Sequence, residues 1–373
     1  MYLLKNIEIF GPEYLGRKDL FIAGDKVQII EKDITESPLR NLGAEVIDCS
    51  GDYLIPGFVD GHVHLIGGGG EGGFYTRTSE GNPEDFVKYG TTTIIGLLGT
   101  DGITRNHRSL LAKARAFNIF GVETFIMTGS YRFPLKTITG DVMEDIVLIP
   151  EIIGVGELAI ADHRGSDISV EELQRLTLDT RVAGMLSGKA GKVILHVGPS
   201  SEKLDVLFEI VKKDILPSYQ FLPTHIARSE ALLNEGLRWI EEYEGYIDFT
   251  ASERIVGKIA ELLNNSKYMN NICISTDGLG SLPVFNSNHE LVSIKSSPVD
   301  GLINIFRKLV KEEGVEIQKA LLPFTKNPST FFRFDKNGIG TIRKGSLASF
   351  SILDKDLNIK DVFLKGKRLD SII

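Results

Sequence analysis

Residues 55–65 read IPGFVDGHVHL, an apolar run that ends in a His-x-His pair. A short apolar run bounded by glycine and proline has the pattern of a buried strand. The period of two in a strand puts His62 and His64 on the same side of its end. Working outward, the same junction recurs. Eight candidate strands follow from the hydropathy pattern: Tyr53–Val59, Thr92–Leu97, Glu123–Met127, Ile152–Gly156, Val193–His196, Leu222–Thr224, Tyr246–Phe249 and Ile272–Ser275. The stretches between them carry helical signals. Asn82-Pro83 before EDFVKY is an N-cap with a first-turn proline, and Ser169–Leu186 and Glu230–Tyr243 have helical apolar spacing. Strands alternating with helices indicate an α/β fold with a parallel sheet, and eight of them a (β/α)8 TIM barrel.

A barrel needs roughly 250 residues, which leaves more than a hundred of the 373. The flanking segments, KNIEIFGPEY and FIAGDKVQIIEKD at the start and GIGTIRKGSLASFSILDKDLNIKDVFLKGKRL at the end, alternate apolar and polar residues between turn signals. They are expected to pair as one small β-sandwich domain, residues 1–52 plus 338–373, with the barrel at 53–337. The net charge of −8 argues against nucleic acid or an anionic membrane as the main partner. Cys49 and Cys273 sit in apolar contexts and read as reduced core residues, not a disulfide framework. The N-terminus lacks a signal-peptide pattern, and no apolar run approaches the ~20 residues of a membrane span. The expected location is cytoplasmic.

In a barrel the strand ends share one mouth, so residues far apart in sequence converge there. His62 and His64 follow the first strand, Glu157 the fourth, His225 the sixth and Asp277 the eighth, while His196 ends the fifth. Imidazole and carboxylate are metal-ligand types, and a glutamate can bridge two ions. One histidine at a strand end is ordinarily a hydrogen-bonded structural residue; four, with two carboxylates, form a pattern. His107 and His289 fall outside it and read as structural or surface residues. His163 lies beside Arg164 in the loop after the fourth strand.

PGFVDGHVHL resembles the first-strand signature of the amidohydrolase superfamily, and its extension HVHLIGGGGEGGFYTRTSE resembles the isoaspartyl dipeptidases. GTDG at 99–102, TGSY at 128–131, ADHR at 161–164, LHVG at 195–198, PTHIAR at 223–228 and STDGLGS at 275–281 extend the likeness through the barrel. The resemblance implies metal ligation by His62, His64, His196, His225 and Asp277, with two divalent ions, zinc being the expected metal. It implies that Glu71 holds the substrate's α-ammonium and that Arg164 and Arg228 hold its carboxylates. Gly69, Thr100 and Ser281 become further substrate contacts, and Tyr131 a donor near the scissile carbonyl. One position departs. Where well-known members bridge their metals with a carboxylated lysine, this chain has Glu157, whose two oxygens sit on a shorter arm.

The charges also make sense without the family. A β-aspartyl dipeptide carries one ammonium and two carboxylates, and a pocket with Glu71, Arg164 and Arg228 complements them. The GGGGEGG loop lacks the GK[ST] ending of a P-loop and reads as a flexible loop that brings Glu71 to the ligand. The expected reaction is attack of a metal-bridging hydroxide on the β-linked amide, with Asp277 as proton shuttle and Tyr131 and Glu71 as further catalytic groups. Two alternatives stand beside it: a cyclic amidohydrolase of the dihydroorotase or hydantoinase kind, and a non-catalytic scaffold. The partners expected are a small dipeptide and, from the resemblance, further copies of the chain in a large symmetric homo-oligomer such as an octamer.

Overall fold

The computed structural model describes residues 1–286 and 291–372. His289 lies outside the described residues. Eight parallel strands form the barrel: β1 (Phe58–Val63), β2 (Thr91–Gly96), β3 (Glu123–Thr128), β4 (Ile152–Ile160), β5 (Lys192–Val197), β6 (Phe221–Thr224), β7 (Ile247–Thr250) and β8 (Ile272–Ser275). β1 to β6 make one curled sheet in sequence order, and β7 pairs with β8. Side chains and loops close the two seams. Thr224 Oγ1 donates to Asp248 Oδ2 at 2.6 Å between β6 and β7. After β8, Gly278 O accepts from His64 N at 2.9 Å.

β1 to β6 and β8 are buried almost throughout, as strands covered on both faces must be. Val59, Ile95, Met127, Ile153, Ile194, Leu222 and Cys273 fill the barrel, and Phe331, Phe332 and Phe334 plug its base. The helices cover the outside. Val170–Ser187 starts in a capping box: Glu172 N donates to Ser169 Oγ at 3.3 Å and Ser169 N to Glu172 Oε2 at 2.9 Å. Cys49 and Cys273 are buried free thiols. No helix among the described residues is long and apolar enough to cross a membrane.

The flanking segments share one eight-stranded sheet. Tyr2–Phe10 pairs with Tyr14–Ala23 and Tyr53–Pro56, and Tyr53–Pro56 pairs in turn with Phe350–Leu353. The sheet curls back on itself where Val27 N donates to Ser346 O at 3.0 Å. Its core is Leu4, Ile7, Leu20, Ile22, Leu54, Phe350 and Phe363. Here the structure corrects the expected first strand, Tyr53–Val59. The apolar run is continuous, but the chain changes sheets at Gly57, where a Cβ would lie 2.0 Å from Thr92 Oγ1. Tyr53–Pro56 therefore belongs to the flanking sheet, and β1 starts at Phe58. β4 is also longer than expected, so Glu157 lies within the strand instead of following it. A hairpin unforeseen in the sequence, Ser281–Phe285 with Leu291–Ser296, follows β8.

Asp60 ties β1 to the end of β8: its carboxylate accepts from Thr276 N at 3.1 Å and Thr276 Oγ1 at 2.5 Å. Asp60→Ala leaves both buried donors unpaired, at a cost of about 2–4 kcal/mol. Thermal unfolding of the metal-free variant is expected several degrees below wild type; an unchanged Tm would contradict this role.

Candidate active site

The barrel mouth gathers the predicted ligands around one carboxylate. Glu157 is fully buried. Its Oε1 lies 2.7 Å from His196 Nδ1 and 3.2 Å from His225 Nε2, and its Oε2 lies 3.2 Å from His62 Nε2. Asp277 Oδ1 lies 3.0 Å from His64 Nε2 and 3.5 Å from His62 Nε2. All six predicted metal residues are thus brought together. Burial opposes ionisation of Glu157, but His62 and His196 outweigh it and hold its carboxyl well below the usual range. Asp277 is lowered too, with burial opposed by its contact with His64 and the charge of His62.

Both nitrogens of His62, His64 Nδ1 and Glu157 Oε2 are buried without a hydrogen-bond partner among the described residues. Buried polar groups are otherwise nearly always paired. His62, His64 and Asp277, and likewise His62, Glu157 and His225, place one ligand atom each within 4.8 Å of the others. This donor set fits divalent metal ions.

The histidines are held from behind. His225 Nδ1 bonds Thr250 Oγ1 at 2.7 Å, which directs Nε2 inward. His196 Nε2 lies 3.1 Å from Asp162 Oδ2, leaving Nδ1 to face Glu157. Such outer partners fix the orientation of a ligand ring. Asp162 was missed in the sequence, although it stands in the quoted ADHR motif. The same carboxylate takes a two-point bond from Arg164, Nε to Oδ1 at 2.9 Å and Nη2 to Oδ2 at 2.7 Å. Those bonds raise the Arg164 pKa and hold the Asp162 carboxyl, despite its burial, well below its ordinary range.

A cavity of about 500 Å³ opens beside this cluster, and Gly69, Glu71, Thr100, Tyr131, Arg164, Arg228 and Ser281 all line it. Glu71 Oε1 accepts from Thr100 Oγ1 at 3.2 Å and Ser281 Oγ at 3.1 Å, and lies 3.7 Å from Arg164 Nη1. Tyr131 OH bonds His196 Nδ1 at 2.7 Å, and burial and Glu157 push its pKa up, so the phenol stays protonated. The glycine loop is more constrained than expected. Gly69 has φ +74°, a Cβ there would lie 2.4 Å from Thr76 O, and Thr78 Oγ1 donates to Leu279 O at 2.6 Å. His107 is a buried structural residue bonded to Gly129 O at 2.8 Å. His163 also lines the cavity, but its side chain is 83% exposed.

No family model matches the chain. Its structure superposes with TM-score 0.92 on a β-aspartyl dipeptidase from Fervidobacterium islandicum AW-1 in complex with β-Asp-Leu, at 41% identity over 98% of this chain and 96% of that one. The chain belongs to the β-aspartyl dipeptidase family of the amidohydrolase superfamily. A second β-aspartyl dipeptidase structure from that organism gives 0.90 at 40% identity, over 99% and 96% of the two chains. Among curated sequences, adenine deaminase 2 from Oenococcus oeni is 22% identical over 97% of this chain, which spans 58% of that longer protein. The family is one of hydrolases, and the histidine–carboxylate cluster occupies the barrel end where TIM-barrel enzymes carry their chemistry.

In the metal-free protein burial works against protonation of His62, but Glu157 and Asp277 outweigh it and push its pKa up to about 10. His62 is therefore protonated near pH 8, whereas a metal takes the neutral ring. Loading metal near pH 8 in weak buffer is expected to release about one proton from this residue, read with an indicator dye. Metal uptake with no proton release would contradict that state of His62.

Proposed function

We propose that the protein is a metal-dependent dipeptidase that cleaves β-aspartyl dipeptides to aspartate and an amino acid. The observation that carries this reading is Glu71, set beside Arg164 and bonded to Thr100 and Ser281 in the cavity next to the histidine cluster. Glu71, with Arg164 and Arg228 lining the same cavity, complements a substrate with one ammonium and two carboxylates. The β-Asp-Leu bound to the F. islandicum relative is of that class.

His62, His64, Glu157, His196, His225 and Asp277 would hold two divalent ions, with zinc the expected metal. When bound, they supply an acidified water and polarise the scissile carbonyl. Asp277 is ionised and turns Oδ1 to the histidines, which leaves Oδ2 to take a proton from the attacking water and hand it to the leaving amine. Tyr131 keeps its proton. Were His196 Nδ1 to hold a metal, the Tyr131 phenol would be free to donate to the developing oxyanion. The two arginines are not equivalent. Asp162 occupies the Arg164 fork, so Arg164 offers the substrate mainly Nη1. Arg228 spends Nη1 on Val197 O at 2.6 Å and, among the described residues, keeps the rest of its fork for a carboxylate.

The test is isomer selectivity. The protein is expected to hydrolyse β-Asp-Leu and not α-Asp-Leu, because the α-linkage moves a carboxylate off its arginine. Arg228→Lys is expected to lower kcat/KM by roughly 10–100-fold through loss of the fork. Equal rates on the two isomers would exclude the reading. Asp277→Asn keeps an oxygen ligand but cannot take the proton, so kcat is expected to fall by about 10²–10⁴-fold while KM changes far less. A variant that retains its metal and near-normal kcat would remove Asp277 from the proton path.

A further inference from the structure

The opposite end of β5 carries a second concentration of charge. Lys192 opens the strand at the base of the barrel and is only 5% exposed. Its Nζ donates to Tyr219 O at 2.7 Å and lies 4.7 Å from the ring centres of both Tyr219 and Phe331. Arg181 lies 5.8 Å from the same Tyr219 ring and donates to Gln220 Oε1 at 3.2 Å. Arg333 lines the cavity in front of Lys192, a space of about 670 Å³, and donates to Lys189 O at 3.2 Å.

These three cations are served by carbonyl oxygens, an amide and ring faces. Among the described residues none of them has a carboxylate within 4.0 Å. Two acids line the cavity: Glu241 is engaged by Lys267 at 3.0 Å and by the Tyr268 hydroxyl, and Glu244 is exposed. A buried ammonium without a counter-charge is costly, and neighbouring cations add to the cost. Burial, with Arg333 and Arg181 adding repulsion, pushes the Lys192 pKa down to about 7. Neither acid pairs with Lys192 or Arg333, and the cavity has the room to admit an anion.

We propose that this basal cavity binds a small oxyanion, the phosphate or carboxylate group of a small molecule, between Lys192 and Arg333. The ammonium supplies a point charge and the guanidinium a planar fork suited to either group. Tyr219, Tyr246 and Phe331 offer ring surface for an organic remainder. The site stands at the far end of the barrel from Glu157 and shares no residue with the catalytic cavity, so it does not depend on the proposed dipeptidase activity.

The test is calorimetric titration of the metal-loaded protein at fixed ionic strength, with inorganic phosphate in one arm and acetate in the other. Wild type, Lys192→Met and Arg333→Gln are compared, with the thermal transition checking that each variant folds; the half-buried Arg333 keeps the test open should Lys192→Met fail. A binding event seen in wild type and lost in the folded variants, with kcat/KM unchanged, is the expected result. The arm that gives it identifies phosphate or carboxylate as the preferred group. No binding in either arm, or binding that survives the substitutions, overturns the assignment.

Discussion

The arrangement of the barrel mouth depends on one buried carboxylate. Glu157 lies inside β4 with three imidazoles around its two oxygens. Withdrawing an ionised carboxylate from water costs several kcal/mol unless charge or hydrogen bonds compensate. Here the compensation comes from rings that still leave Glu157 Oε2 and both His62 nitrogens without a hydrogen-bond partner among the described residues. A buried cluster of carboxylates and imidazoles left partly unsatisfied is a donor set that fits a cation. The closed barrel makes such a cluster possible, because β1, β4, β5, β6 and β8 bring together residues as far apart in sequence as His62 and Asp277.

A second carboxylate links this cluster to the cavity beside it. Asp162 holds His196 Nε2 with one oxygen while its two oxygens clamp the Arg164 fork. Arg164 in turn faces Glu71 at 3.7 Å. His196, Arg164 and Glu71 are therefore fixed relative to one another by a chain of polar contacts through Asp162.

Much of this was legible in the sequence. β8 and the helix Glu230–Tyr243 fall where hydropathy puts them, because each run is bounded by turn or cap residues. The convergence of His62, His64, Glu157, His196, His225 and Asp277 was legible because a barrel fixes which end of every strand faces the mouth. The sheet change at Gly57 was not, since Tyr53–Val59 is one unbroken apolar run and the switch depends on contact with Thr92. Asp162 escaped for a similar reason. An aspartate beside an arginine in a loop usually has a local role, and its partner His196 lies 34 residues away. Lys192 gave no signal either, because one lysine at the start of a strand reads as solvated until the base of the barrel closes over it.

The proposed direct role of Glu157 between two ions is the central claim. Anomalous diffraction from crystals grown with zinc, in buffer stripped of carbon dioxide, tests it most directly. The account predicts two anomalous peaks in each protein chain, one beside each oxygen of the Glu157 carboxylate, with no additional density for a carbon dioxide adduct. A single peak, or two peaks with Glu157 turned away from either, would contradict it.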